Sequence, residues 1–189
     1  MTKNQLHKLV SSGRLSKTGI LALVDDLSTA PQLIGALLDA IWMEDKEGGF
    51  NASWAFDHLM RKKLDFILPF IPEFVHGLKD LTSESCIRPM AHTCQMLMET
   101  YFEKKDPSFL KAVDQEKLEV LVEVCFDWLI EDHKVATKVF AMTSLYYLGK
   151  KFDWIHPELK SLLQKTIASG TAGYKSRAGK LLHQLEADL

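Results

Sequence analysis

Apolar residues recur every three or four positions along almost the whole chain, as in Ile87, Met90, Ala91, Cys94, Leu97, Met98 and Tyr101. That spacing lays a stripe along one face of a helix. Nowhere does a stretch alternate cleanly between apolar and polar residues beside a hairpin turn such as Asn-Gly, so the pattern predicts no strand. Breaks at Gly13, Pro31, Gly48-Gly49, Asp65, Thr82 to Ser85, Asp106-Pro107, Asp132-His133, Asp153 to Pro157 and Gly170 to Gly173 delimit about ten helices. Pro31 suits a first helical position, and Ser85 and Asp114 suit N-caps. Pro89 then falls in the first turn after Ser85, where amide hydrogens lack helical partners anyway. Connections this short make successive helices antiparallel neighbours, and the pattern as a whole predicts an all-α fold.

The chain also repeats itself. Lys63-Leu64-Asp65-Phe66-Ile67-Leu68-Pro69 reappears as Lys151-Phe152-Asp153-Trp154-Ile155-His156-Pro157, an offset of 88 residues (153 − 65). Trp42 and Trp128 are 86 apart, as are Ala55 and Ala141, and Ala91 and Ala178 are 87 apart. An acidic pair follows both tryptophans, Glu44-Asp45 and Glu131-Asp132. These anchors predict an internal duplication, residues 31–102 and 115–187, with two helix pairs in each half and one more pair before the first, within a single domain spanning 1–189. A shorter period lies inside each half: Ala55 to Ala91 is 36 residues and Ala141 to Ala178 is 37, the length of one helix pair. Each of these alanines centres an apolar stripe and is expected to be buried.

Ile87-Arg88-Pro89-Met90-Ala91 and Tyr174-Lys175-Ser176-Arg177-Ala178 resemble the HEAT-repeat pattern of an apolar residue, a basic residue, two variable residues and Ala. The resemblance to HEAT or armadillo-type repeats covers about residues 31 to 187. It implies a right-handed α-α superhelix, a HEAT-like repeat solenoid of about ten antiparallel helices with an extended concave surface. Asn51-Ala52 stands where the first repeat should carry its apolar-basic pair, and Thr137 replaces an apolar residue before Lys138. Through Ser85-Cys86-Ile87-Arg88-Pro89 and Phe152-Asp153-Trp154-Ile155-His156-Pro157-Glu158-Leu159, the chain also resembles a group of short bacterial helical proteins whose members have carried the name adenylosuccinate lyase. Such lyases are far longer and place a catalytic serine in a Ser-Ser-x-Met-Pro-x-Lys loop. No stretch here matches it, so the resemblance does not extend to lyase chemistry.

Composition narrows the classes. Apolar residues make up 47% and charged residues 25% of the 189, a globular mixture, and no apolar run approaches the roughly 20 residues of a membrane span. The polar start Met1-Thr2-Lys3-Asn4-Gln5 lacks the apolar core of an export signal, which points to the cytoplasm. Cys86, Cys94 and Cys125, an odd number, read as small core residues rather than disulfide partners. A net charge of −2 and a pI near 6.4 give no global attraction to phosphate backbones, so a nucleic-acid role requires a local basic surface.

No metal or cofactor is expected: His-Glu-x-x-His and Cys-x-x-Cys are absent, and His92 points away from Cys94 around a helix, which reads as a surface histidine. Gly170-Thr171-Ala172-Gly173 lacks the Gly-Lys-Ser/Thr ending of a phosphate loop and reads as a turn. The basic residues are more suggestive. Arg88, Lys138 and Lys175 hold matching places at the starts of three second helices, forming a ladder that either pairs with neighbouring acidic turns, such as Glu131-Asp132, or meets an anionic partner. A second set, Arg61-Lys62-Lys63, Lys104-Lys105 and Lys150-Lys151, falls at helix ends, where cations complement the helix dipole by about 0.3 to 1 kcal/mol each. The uncharged Val139 to Gly149 is either covered by neighbouring helices or a groove for a partner helix.

These features favour a non-catalytic interaction or scaffold module whose partner is another protein or a peptide, with Arg88, Lys138 and Lys175 as binding candidates. The alternative is a HEAT-like DNA-binding or alkylation-repair glycosylase-type protein. For that, Trp54, Trp128 and Trp154 supply aromatics and Asp127 or Asp153 a carboxylate. The same tryptophans also read as packing anchors between repeats.

Overall fold

The computed structural model describes residues 1–187. Helix accounts for 80% of them, in eleven α-helices, and the described residues contain no strand. The chain divides into two compact units, Met1–Thr93 and the residues from Cys94 onward.

Unit 1 begins with α1 (Lys3–Val10) and α2 (Lys17–Ser28). Thr2 and Gln5 close a reciprocal capping box on α1, and the Ser16 hydroxyl caps α2. Pro31 opens a single 3-10 turn that leads into α3 (Ile34–Trp42), as its fixed φ favours. Then come α4 (Gly48–Met60), a 3-10 stretch Leu64–Phe70 running into α5 (Ile71–Gly77), and α6 (Glu84–Glu99), inside which the unit boundary falls. α4 packs against α1, α2 and α3 and is buried on almost every side. Its neighbours bury Phe56, Leu59 and Met60, with Phe56 stacked on Phe74 of α5 at 6.0 Å.

Two helices start elsewhere than their sequence signals suggest. Gly48-Gly49 is not a break but the first turn of α4; the turn is made earlier, at Glu44, whose φ is +48°. Asp45 supplies the cap, its Oδ2 accepting from Gly48 N at 3.1 Å. A side chain on Gly49 would sit 3.2 Å from Cys86 Sγ and from Glu44 Cα, so close packing requires glycine there. The left-handed Glu44 is held by its own carboxylate, which accepts from Thr82 N at 3.0 Å, Thr82 Oγ1 at 2.7 Å and Ser83 N at 2.7 Å and so secures the approach to α6.

α6 also starts ahead of its sequence signal. The Ser83 carbonyl accepts from Cys86 N and Ile87 N, so the helix starts at Glu84, ahead of Ser85. Pro89 is therefore inside the helix rather than in a donor-free first turn. Having no N–H, it leaves the carbonyl of Ser85, four residues back, without its helical donor. Ser53 of α4 fills the gap, its hydroxyl donating to Ser85 O at 3.1 Å.

Unit 2 contains a π-helical turn at Thr100–Lys104, α7 (Pro107–Ala112), α8 (Gln115–Ile130), α9 (Val135–Leu148), α10 (Ile155–Thr166) and α11 (Ala172–Ala187). Asp114 caps α8 as its position suggests, Oδ1 accepting from Lys117 N at 3.0 Å. α9 packs against α8, α10 and α11, and Ala141, Met142, Leu145, Tyr146 and Leu148 are all buried. Of the two readings of Val139 to Gly149, burial among neighbouring helices is the one observed. Ala91 in unit 1 and Ala141 and Ala178 in unit 2 are each 0% exposed, as expected from their stripes. Among the described residues no single helix is long and apolar enough to cross a membrane.

Candidate functional site

Lys138 and Lys175 stand in the first turns of α9 and α11, whereas Arg88 opens the second turn of α6, because that helix already begins at Glu84. Arg88 and Lys138 are half-buried and Lys175 is exposed. None of the three has a carboxylate within ion-pair distance among the described residues, so the expected pairing with Glu131-Asp132 does not form. The reason is local: Glu131 is the extended C-cap of α8 and its Oε2 lies 3.5 Å from His133 Nε2. The helix-end cations behave oppositely. Arg61 pairs with Asp57 at 2.6 Å, Lys62 lies 3.8 Å from Asp25, Lys104 donates to Thr100 Oγ1 at 3.4 Å, and Lys150 pairs with Glu103.

Arg88 is instead occupied by an aromatic ring: its guanidinium carbon lies 5.0 Å from the centroid of the Trp54 ring. Trp54 belongs to a stripe on α4, with Phe50 one turn before it and His58 one turn after, ring centroids 5.7 and 5.8 Å apart. Over Phe50 lies a second guanidinium, that of Arg14, at 3.3 Å from the centroid. Arg14 sits in the α1–α2 loop, and that loop is pinned by Asn51, which is 0% exposed. Asn51 Nδ2 donates to Val10 O and Gly13 O, both at 2.8 Å, and its Oδ1 accepts from Leu15 N at 3.0 Å. The hydrogen-bonded groups bracket Arg14. Asn51-Ala52, a departure from the repeat pattern, is thus a buried clamp.

Beside the stripe Asp57, 4% exposed, accepts from Arg61 Nη2 and from His92 Nδ1, each at 2.6 Å. His92 is therefore not a surface histidine, as its position opposite Cys94 implies, but a half-buried tie between α6 and α4. His58 is held below its ordinary value by burial and by the field of Arg61, with smaller contributions from Lys17 and Lys62, against which Asp57 acts. The neighbourhood is cationic, and the neutral imidazole is favoured there.

A different surface occurs in unit 2. Trp154, read from sequence as a packing anchor, is 54% exposed, because it is the residue that enters α10 and only one face of its indole is covered. That face stacks on Phe126 at 5.6 Å, with the planes 15° apart. Ile130, 63% exposed, and Leu162 join them around a hollow of about 570 Å³, with Glu158 and Lys165 on its margin. Trp128 does match the packing expectation at 4% exposed. Asp153 and Asp127 are both exposed, the latter on α8.

Unit 1 also holds a cavity of about 490 Å³ along α3 and α5, where Gly35 and Gly77 leave room beside Phe70 and Trp42. Among the described residues no group of three or more His, Cys, Asp or Glu is placed to hold a metal ion. Sequence reasoning marked Arg88 and Trp54 but missed Arg14, Phe50, Asn51 and Asp57. The i, i+4, i+8 spacing of Phe50, Trp54 and His58 was the available signal, whereas nothing local ties Arg14 to residues 36 and more positions away. No protein-family model, curated protein or solved structure matches the chain.

Proposed function

We propose that this protein is a non-catalytic interaction module that captures a segment of another protein through the Phe126–Trp154 hollow, on a framework of HEAT-like helix pairs duplicated over residues 31–102 and 115–187. The observation that carries this reading is the half-exposed indole. An aromatic stacked on one face and open on the other is a rigid anchor of the kind that dominates binding energies at interfaces. Ile130 and Leu162 extend the apolar floor; Glu158 and Lys165 sit on the margin, and the exposed Asp153, next in sequence to Trp154, tips the local balance towards a partner segment with an apolar anchor and basic flanks. In support of the duplicated framework, α6 and α11 start 88 residues apart (172 − 84) and bury Ala91 and Ala178.

The test is a titration of the intact protein with two synthetic amphipathic helical peptides of the same apolar face, one with lysine flanks and one with glutamate flanks. Binding of the lysine peptide, abolished by Trp154→Ala with an unchanged melting temperature, is the expected result. Equal binding by the W154A variant, or tighter binding of the glutamate peptide, refutes the assignment of this surface.

A further inference from the structure

We propose that unit 1 carries a separate site for a single-stranded nucleic acid, in which the Arg14 and Arg88 guanidinium groups contact phosphates and the Phe50–Trp54–His58 stripe of α4 contacts bases. The site lies in the other unit from the Trp154 hollow and does not depend on that reading.

Four features of the structure converge on it. Both guanidinium groups lie over aromatic rings, at 3.3 and 5.0 Å from the ring centroids, and neither has a carboxylate partner among the described residues. A guanidinium that rests over a ring spends no N–H on a carboxylate, so its N–H groups stay available to take an oxyanion through a two-pronged fork. Both are also pre-positioned: the Asn51 clamp fixes the backbone on either side of Arg14, and the Ser53–Ser85 bond fixes the turn of α6 from which Arg88 projects. Holding a flexible side chain before the ligand arrives removes an ordering cost from binding.

Charge is the third feature. Lys17, Arg61 and Lys62 act on His58 from around the stripe, which with Arg14 and Arg88 makes five cations; the carboxylates about them are Asp57 and Asp25, which Arg61 and Lys62 meet, with Glu84 one turn before Arg88 and Glu47 ahead of α4. The chain as a whole carries −2. A local excess of positive charge in an acidic protein is the condition the composition left open for a polyanion.

The fourth feature selects the ligand. Three half-buried rings one helical turn apart, two of them covered by a guanidinium, leave their exposed edges and the outer planes of those guanidinium groups as surfaces on which planar bases stack regardless of identity. An acidic peptide would use the cations and leave the rings idle. Duplex DNA would present phosphates but keep its bases stacked on one another.

The experiment uses the full chain and a fluorescein-labelled oligothymidylate of about 12 nucleotides, within the site sizes typical of such proteins, read by anisotropy at about 50 and 200 mM salt. Expected are binding that weakens with salt, and a loss of about fivefold or more at low salt for Arg14→Gln and for Arg88→Gln, each with a salt slope smaller by about 0.7. Arg88→Lys, which keeps the charge but not the planar fork, recovers only part of the affinity. Lys111→Gln on α7 binds like the unaltered protein. Each variant is first shown to melt as the unaltered protein does, so that a loss reflects the site and not the fold. Absence of binding at low salt, or unaltered affinity in both glutamine variants, overturns the proposal. Inorganic phosphate competing as effectively as the oligonucleotide, phosphate for phosphate, reduces the site to a simple anion site. Equal affinity for a duplex of the same length removes the role of the rings.

Discussion

The Ser53–Pro89 relationship makes the most direct test of how unit 1 is held together. Pro89 cannot donate to Ser85 O, and that carbonyl receives the Ser53 hydroxyl at 3.1 Å. Ser53 is 0% exposed, so in Ser53→Ala no water replaces it. The hydroxyl also approaches Phe50 O at 3.0 Å, but that carbonyl lies within α4 and keeps its helical donor, so the loss concentrates at Ser85. A buried carbonyl left unpaired costs about 1–3 kcal/mol, and S53A should lower stability by that amount. The decisive comparison is with Pro89→Ala, which returns an N–H four residues after Ser85. In that background Ser53 is no longer the sole donor, and S53A should cost at least about 1 kcal/mol less. Urea unfolding of the four proteins, followed by far-UV circular dichroism, closes the cycle. If the two substitutions add to within about 0.5 kcal/mol, the carbonyl does not depend on Ser53 and the account of α6 is wrong.

Other outcomes follow from the same structure. Trp128→Ala, at a buried position, should destabilise by about 3–5 kcal/mol, whereas Trp154→Ala should cost less than about 1 kcal/mol; comparable denaturant midpoints for the two would contradict their assigned environments. His58 has a folded-state pKa below its ordinary value of 6.5, so the native state binds fewer protons there than the unfolded chain. Its contribution is fully present above 6.5 and is lost as the pH falls from 6.5 through the folded-state value; His58→Gln should flatten the decline in melting temperature across that window, and an unchanged profile would refute it. Burial pushes the Cys125 thiol up to about 12 and that of Cys94 well above its usual value, so an aromatic disulfide reagent should label them only as fast as the chain opens. Rapid labelling of either in native protein would place it elsewhere.

Periodicity was a good guide where a helix has one wet face. The stripe through Met90, Ala91 and Cys94, the Asp114 cap and the equivalent alanines were all readable, because local spacing determines them. It failed where a contact spans the sequence. Trp154 looks like Phe66 in the repeated segment, yet only the packing of α8 decides that its second face stays open. Ser85 looks like an N-cap until Glu44 is seen to hold Thr82 and Ser83 from about forty residues away, which lets the helix begin earlier. Likewise, pairing charges by proximity in sequence assigned Glu131-Asp132 to the basic ladder, while a ring face rather than a carboxylate took Arg88.

The two central helices show why a candidate binding site lies on one and not on the other. α4 and α9 occupy matching places in the 86-residue offset, and both are surrounded by other helices. Polar groups in such helices must find partners. In α9 they find them at home: Thr143 Oγ1 donates to Val139 O at 2.7 Å and Ser144 Oγ to Phe140 O at 3.0 Å, each one turn back on the same helix. The polar residues of α4 reach outward, Asn51 to the α1–α2 loop, Ser53 to the proline-interrupted turn of α6, and Asp57 to His92. Each outward bond fixes a neighbouring segment, and two of those segments carry Arg14 and Arg88. Ser144 also reaches the Cys125 thiol of α8, a bond from α9 to a neighbour that carries no cation at that point. The outward bonds of α4 set where the neighbours' cations stand, and among the described residues Arg88 has an aromatic partner while none is seen at Lys138 or Lys175.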